Sequence, residues 1–275
     1  MPPFKAIVLG VVQGLTEFLP VSSSGHLVIF QNLFNLKEPE VLFDVSVHMG
    51  TLIAVIIFFR KDLHFMITSV FRFFHDTLKK KVPIADTLQD NDLKLVLLII
   101  LGTIPTAILG LLFHKIVDRI FSSVVLVGLM LIVTGTLLII TVRVKEERKS
   151  IKHFSIKDAL IIGLMQGISI LPGISRSGST IAVGLFLGLE REISARFSFL
   201  LSIPAIIGAT ILEFKDISTY PSAQINSMLI GAFTSCLVGY CALGSLLFIV
   251  KKGRLHYFAP YCFAAGIFAL IIGFG

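Results

Sequence analysis

Six residues able to do chemistry are packed into the run Gln13-Gly14-Leu15-Thr16-Glu17-Phe18-Leu19-Pro20-Val21-Ser22-Ser23-Ser24-Gly25-His26. They are an amide, a carboxylate, three hydroxyls and an imidazole. Gln13 and Glu17, four apart, share one face of a helix. Pro20 stops that helix, because the residue before a proline avoids the helical basin. The Ser-Ser-Ser-Gly run suits a tight turn and the start of a next helix, where free backbone N–H groups bind anions. A second run ends in Pro172-Gly173-Ile174-Ser175-Arg176-Ser177-Gly178-Ser179-Thr180. It offers hydroxyls and one guanidinium. Hydroxyls, two helix N-termini and an arginine fit a tetrahedral oxyanion such as phosphate. A carboxylate beside a phosphate implies a divalent cation, Mg²⁺ or Ca²⁺, with Glu17 as its protein ligand.

The surroundings make these groups conspicuous. The chain has 275 residues, 55% of them apolar and 15% charged, with mean hydropathy +0.92. That profile describes a multi-pass membrane protein, so membrane lipids are its surroundings. Polar groups are costly in hydrocarbon, which marks both runs as functional. The net charge of +7 sits in a few loops, so it reads as topology and not as a surface for nucleic acid. No secretory signal with a cleavage site precedes the first apolar stretch. Cys236, Cys241 and Cys262 lack CxxC spacing and read as buried thiols.

Positioning elements follow from hydropathy. Residues 4–19 and 25–35 form two helices too short for a crossing, which needs about 20 apolar residues. A polar Pro/Ser/Gly break joins them, as in a re-entrant hairpin; the simpler alternative is one kinked span plus a loop. Full spans are expected at 41–60, 93–113, 120–142, 193–213, 223–249 and 256–274. A polar loop separates the first two, and a charged one covers Arg143 to Lys157. A second pair of short helices, 156–170 and 178–188, flanks the Arg176 run. The expected fold is all-α, six spans plus two re-entrant hairpins in a single membrane domain.

The two polar runs repeat each other. Gln13-Gly14 matches Gln166-Gly167 and Ser24-Gly25 matches Ser177-Gly178, both at an offset of 153. Two halves, about 1–143 and 155–275, each carry a hairpin and three spans. An odd number of spans inverts the second half, and inverted repeats with broken helices place sites where the halves meet. Charge agrees: eighteen of the 24 Lys and Arg fall in one set of loops, and only Lys5, Lys37, Lys115, Arg119 and Lys215 on the other side. The first set is expected to be cytoplasmic, with both termini outside. Tyr257 and Tyr261 read as interfacial anchors. At mated positions the halves differ: Glu17 faces Ile170, Ser23 faces Arg176 and His26 faces Ser179. Glu17 and Arg176 can neutralise each other, either as a mere clamp or around a ligand.

Residues 13–26 and 172–180 resemble the two signatures of the undecaprenyl-diphosphate phosphatase family, the bacitracin-resistance membrane proteins. The resemblance covers essentially the whole chain. It implies hydrolysis of undecaprenyl diphosphate, a polyprenyl diphosphate lipid, to undecaprenyl phosphate and inorganic phosphate. That recycles the carrier for cell-wall polymers and antagonises bacitracin. It also implies a site facing outward on the bacterial cytoplasmic membrane. The family's Glu/Gln-x-x-x-Glu pair falls on Gln13 and Glu17, its histidine on His26, its serine on Ser23 and its arginine on Arg176. Its loop hydroxyls fall on Ser175 and Thr180. Gln13 leaves one carboxylate there, which weakens any two-carboxylate metal scheme.

The expected catalytic set is therefore Glu17, Ser23, His26 and Arg176, with Gln13, Ser22, Ser24, Ser175, Ser177 and Thr180 binding substrate. His26 is cast as general acid or base, and Ser23 as nucleophile or binding hydroxyl. His48 and Asp44 could line the pocket or lie at the interface. A second membrane lipid phosphatase family shares Ser-Gly-His and Ser-Arg elements, but position 182 is Ala and no Arg-Pro occurs. A transporter or flippase for the carrier lipid is the alternative from another class. A homo-oligomer is left open.

Overall fold

A computed structural model describes residues 2–33, 41–78, 90–113, 123–144, 149–213 and 225–274. Eleven α-helices lie among the described residues: α1 Pro3–Phe18, α2 Ser23–Leu33, α3 Val41–Phe58, α4 Arg60–Leu78, α5 Asn91–Phe113, α6 Val124–Ile140, α7 Ile156–Ile168, α8 Arg176–Phe186, α9 Arg191–Glu213, α10 Ile225–Lys251 and α11 Ala259–Phe274. Five segments are long and apolar enough to cross a membrane: Asn91–Phe113, Val124–Arg143, Arg191–Leu212, Ile225–Lys251 and Leu255–Phe274. The protein is an all-helical, multi-pass membrane protein. Its outward faces carry exposed Ile100, Ile104, Ile108, Phe233, Leu237 and Ile271, side chains suited to lipid.

The first expected span differs. α3 is followed by α4 at a bend of 74°, and the pair passes as a span only when taken together. Residues 60–78 are thus a helix and not the polar loop that their charge suggests. Leu63, Met66, Val70 and Phe73 recur at helical spacing, with Met66 and Ser69 buried. Arg60, Lys61, Arg72 and Asp76 disguise that stripe. Of the charges behind the expected asymmetry, Lys37, Lys79 to Lys81, Lys115, Arg119, Lys145, Arg148 and Lys215 lie outside the described residues. So do His114, Asp118, Glu146 and Glu147 and the stretch from Asp86 to Gln89.

Each short helix starts from its own sequence. Pro3 sits in the first turn of α1, where its missing N–H costs nothing. Ser155 and Asp158 close a capping box on α7, and Lys149 Nζ meets Asp158 at 3.0 Å. Lys149 is also tied by its backbone N–H to Gly188 O at 2.9 Å. It therefore belongs to the folded framework and not to a solvated loop.

α1 packs lengthwise on α10, and α7 packs lengthwise on α5. In each pair a short helix from one half of the chain thus lies against a long helix from the other half. The α1–α10 seam is lined by Gly10, Gly14, Gly231 and Ser235, small residues that let helices approach closely in lipid. Below the breaks, a core of Phe18, Phe59, Leu138, Ile181, Phe199 and Leu243 fills the centre. Phe18 and Phe199 meet edge to face at 5.8 Å.

Candidate active site

The α1–α2 break, residues 19–22, and the α7–α8 break, residues 169–175, touch. Ser22 adopts φ +69°, a left-handed conformation that costs a non-glycine residue about 1–3 kcal/mol. Its Oγ accepts from Gly173 N at 3.1 Å, across the two breaks. Gly173 has φ +99°, and a Cβ there would lie 2.7 Å from Met130 Cβ. Thr134 of α6 donates to Gly173 O at 2.9 Å and accepts from Ser175 N at 3.0 Å. Packing closes the contact: a Cβ on Gly178 would lie 2.8 Å from Pro20 Cβ. These contacts make two separate chain breaks one rigid body.

Glu17 stands at the centre, almost fully buried. Arg176 Nη2 of α8 donates to its Oε1. On Oε2 it accepts from Ser23 Oγ at 2.6 Å and Gln13 Nε2 at 3.0 Å. Gln13 gives its other N–H to His48 Nδ1 of α3 at 2.8 Å, and that nitrogen is 3.6 Å from Glu17 Oε2. A single carboxylate thus gathers groups from α1, α2, α3 and α8. Removal of either charge would leave the other buried and uncompensated.

Two atoms of this cluster are buried without a partner, Arg176 Nη1 and Gln13 Oε1. One is a donor and the other an acceptor, and both belong to side chains that bond Glu17. The donor is a guanidinium N–H, fit for an oxyanion. The acceptor is an amide oxygen four residues from a carboxylate, and both are hard donors of the kind that hold Mg²⁺ or Ca²⁺. Among the described residues no group of three or more His, Cys, Asp or Glu could hold a metal. Two hard oxygen donors are thus present for a cation, which would need its other ligands from elsewhere.

His26 stands apart from this cluster. Its Nδ1 bonds Ser22 O at 2.8 Å and its Nε2 bonds Tyr261 OH at 2.6 Å. Neither ring nitrogen is on Ser23, whose hydroxyl is held by Glu17 instead. Tyr261, expected as an interfacial anchor, turns its hydroxyl inward to His26.

The second break holds its hydroxyls differently from the first. Ser175 Oγ accepts from Gly178 N at 3.1 Å and caps α8. Thr180 Oγ1 donates to Arg176 O at 2.7 Å and meets Ser198 Oγ at 2.5 Å. Ser177 Oγ reaches Leu19 O at 3.5 Å. All three hydroxyls are buried and committed inside the protein, so they hold Arg176 in place instead of lying open to a ligand. Ser24 sits half-buried on the first turn of α2, its Oγ 3.4 Å from Ser22 Oγ.

Sequence reasoning left His48 between two roles and misread Tyr261. His48 is 35 positions from Gln13 and Tyr261 is 235 from His26. Their only signal was a polar or aromatic residue near the end of an apolar span. The thiols also differ from expectation: Cys262 is buried, but Cys241 is exposed and Cys236 half-buried.

Residues 6–268 match the family described as bacitracin resistance protein BacA. The chain is 52% identical over 273 residues to an undecaprenyl-diphosphatase from Desulfosudis oleivorans, covering 99% of each chain. It is 49% identical over 271 residues to one from Desulfatibacillum aliphaticivorans, covering 98% of each. An undecaprenyl-diphosphatase from Methanobrevibacter smithii is 41% identical over 268 residues, 97% of this chain and 96% of that one.

Proposed function

The chain belongs to the bacitracin resistance protein BacA family, and from that premise we propose that it hydrolyses undecaprenyl diphosphate to undecaprenyl phosphate and inorganic phosphate. One observation carries the chemistry: Ser23 Oγ and Arg176 Nη2 converge on Glu17, while Arg176 Nη1 stays buried and unpartnered. Arg176 grips the terminal phosphate through that free donor. Ser23 Oγ attacks the terminal phosphorus and gives its proton to Glu17 as the new O–P bond forms. The bond from phosphorus to the bridging oxygen breaks, and undecaprenyl phosphate leaves. Water then attacks the phosphoserine, and the proton returns from Glu17 to Ser23. The 2.6 Å bond from Ser23 to Glu17 favours this route over direct attack by water.

Glu17 and Gln13 Oε1 would hold a divalent cation shared with the diphosphate, which when bound offsets charge on the leaving phosphate. Gln13 keeps the Glu17 carboxylate in register, and His48 keeps Gln13 in register. Ser22, Ser175, Ser177 and Thr180 build the seat of the phosphate more than they touch it.

The architecture proposed is two inverted halves, each with a re-entrant hairpin and three spans, α3 and its bend supplying the first. The lengths of α1, α2, α7 and α8, at 16, 11, 13 and 11 residues, support the hairpins. The reciprocal packing of α1 on α10 and α7 on α5 supports the inverted pairing. The loop charge asymmetry supports an outward-facing site in the cytoplasmic membrane. The relatives' names describe a phosphatase, and the flippase alternative finds no support among them. The test is phosphate release from undecaprenyl diphosphate by purified protein in detergent, followed by rapid quench for phosphate on Ser23. Release without any phospho-Ser23, with Ser23→Ala nearly as active, would leave direct water attack in its place.

A further inference from the structure

His26 is held by two partners whose chemistry decides its protonation. Ser22 O can only accept, so the proton shared with Nδ1 at 2.8 Å belongs to the imidazole. In the neutral ring Nε2 is then an acceptor, and the Tyr261 hydroxyl 2.6 Å away is its donor. The two rings are nearly parallel, 11° apart with centroids at 5.6 Å. Ser22 O thus sets the tautomer, and the Tyr261 hydroxyl with its parallel ring sets the orientation of the imidazole.

An anchoring tyrosine at a membrane interface turns its hydroxyl to the headgroups. Tyr257, one turn earlier, is 62% exposed and lies against Arg254 at 5.7 Å. Tyr261 is 49% exposed, yet its hydroxyl is directed at His26, which is 6% exposed. Its neighbour Cys262 reaches Pro20 O at 3.4 Å, so the start of α11 is docked on the first chain break. Ser23 and His26 are three apart on α2 and share a face, about one helical turn from each other. Ser23 faces Glu17 and His26 faces Tyr261.

We propose that Tyr261 is a positioning residue for the hydrolysis, acting through His26, whose Nδ1 holds the Ser22 carbonyl beside Ser23. This rests on the phosphatase reading. The imidazole, with both nitrogens engaged, keeps the strained Ser22 turn and so the Ser23 hydroxyl in place, and Tyr261 itself does not contact substrate.

The experiment is steady-state phosphate release from undecaprenyl diphosphate in detergent, with thermal unfolding on the same samples. Tyr261→Phe keeps the ring and the stack and deletes only the hydroxyl. It is expected to lower kcat about tenfold or more, with KM within about twofold and an unchanged thermal midpoint. Tyr261→Ala loses the ring as well and lowers the midpoint. In a His26→Gln background, Tyr261→Phe is expected to add no further loss, because its effect passes through the imidazole. Wild-type kcat in Tyr261→Phe, a loss that tracks the midpoint, or an undiminished loss in the His26→Gln background would each overturn the inference. Wild-type protein that releases no phosphate would instead remove the phosphatase reading beneath it.

Discussion

At the first chain break Ser23 turns its hydroxyl onto Glu17 at 2.6 Å, whereas at the second Ser175, Ser177 and Thr180 turn theirs into the protein. Both breaks come from similar sequence, and both join two short helices. The first carries a strained Ser22 at φ +69°, a buried carboxylate and a half-buried serine. The second carries a glycine at its tight point and a ladder of satisfied hydroxyls, and Arg176 is the charged side chain that it sends across. In the proposed mechanism one break is reactive and the other is a mount for the Arg176 guanidinium. A duplicated scaffold can therefore divide its labour: backbone strain at a serine and the carboxylate lie on one copy, and the guanidinium with its capped hydroxyls on the other.

The sharpest way to break that contrast is Glu17→Gln. It leaves Arg176 buried without its counter-charge, which costs about 3–5 kcal/mol for a buried pair. Hydrolysis should fall about 10²–10⁴-fold if the carboxylate is the base. Near-normal phosphate release by this variant would move the chemistry away from the first break.

Ser23→Ala should then separate the hydroxyls by what they report. A fall in kcat of about 10³-fold with an unchanged thermal midpoint is expected of a nucleophile. Ser175→Ala and Thr180→Ala should each lose about 1–3 kcal/mol in thermal unfolding, the cost of unsatisfied buried partners, and activity should follow stability. If Thr180→Ala cut kcat at full stability, the second break would be reactive too.

Gly173→Ala tests the mount. The positive φ costs about 1–3 kcal/mol for alanine, with added crowding against Met130. Folded yield and midpoint in detergent should drop. A tolerated alanine would show that the breaks are not locked together as described.

His48→Leu leaves a Gln13 N–H without its acceptor, and about tenfold in kcat/KM is expected, within the 1–3 kcal/mol scale of an orphaned donor. His48→Gln, which can accept in the same place, should recover most of it. No difference between the two variants would assign His48 to packing alone.

The smallest effect lies away from both breaks. Burial disfavours the Asp90 charge, but the Ser69 hydroxyl and the N–H groups of Asp92 and Leu93 outweigh it and hold the carboxyl below its usual 3.8. A depressed folded value means that the contribution is complete above the unfolded value and fades as the pH falls through the folded one. Asp90→Ala should cost about 0.5–2 kcal/mol at neutral pH, as for a lost helix cap, and less near pH 3. A pH-independent difference in midpoint would refute the linkage.

Much of the site was legible in residue order. The four-residue spacing of Gln13 and Glu17 put them on one helix face, Pro20 and the serine run marked the break, and the 153-residue offset paired the two runs. The first elbow's acid and the second's guanidinium were nameable because a charge in hydrocarbon needs a reason. α4 was not legible, since its charged face hid an apolar stripe of only a few positions. The inward turn of the Ser175 and Thr180 hydroxyls was not legible either, because a serine that caps a helix and one that binds phosphate look alike in a string of letters.

Composition and local spacing determined that this is a membrane protein with two polar breaks, one bearing a carboxylate and one an arginine. Those properties depend on neighbours a few residues apart, where helical period and proline sterics act. The tertiary structure alone decided that Glu17 takes Ser23, Gln13 and Arg176, that His48 stands behind Gln13, and that Tyr261 claims His26. Such contacts join positions up to 235 apart, and they are set by how long helices pack on short ones, which no local pattern encodes.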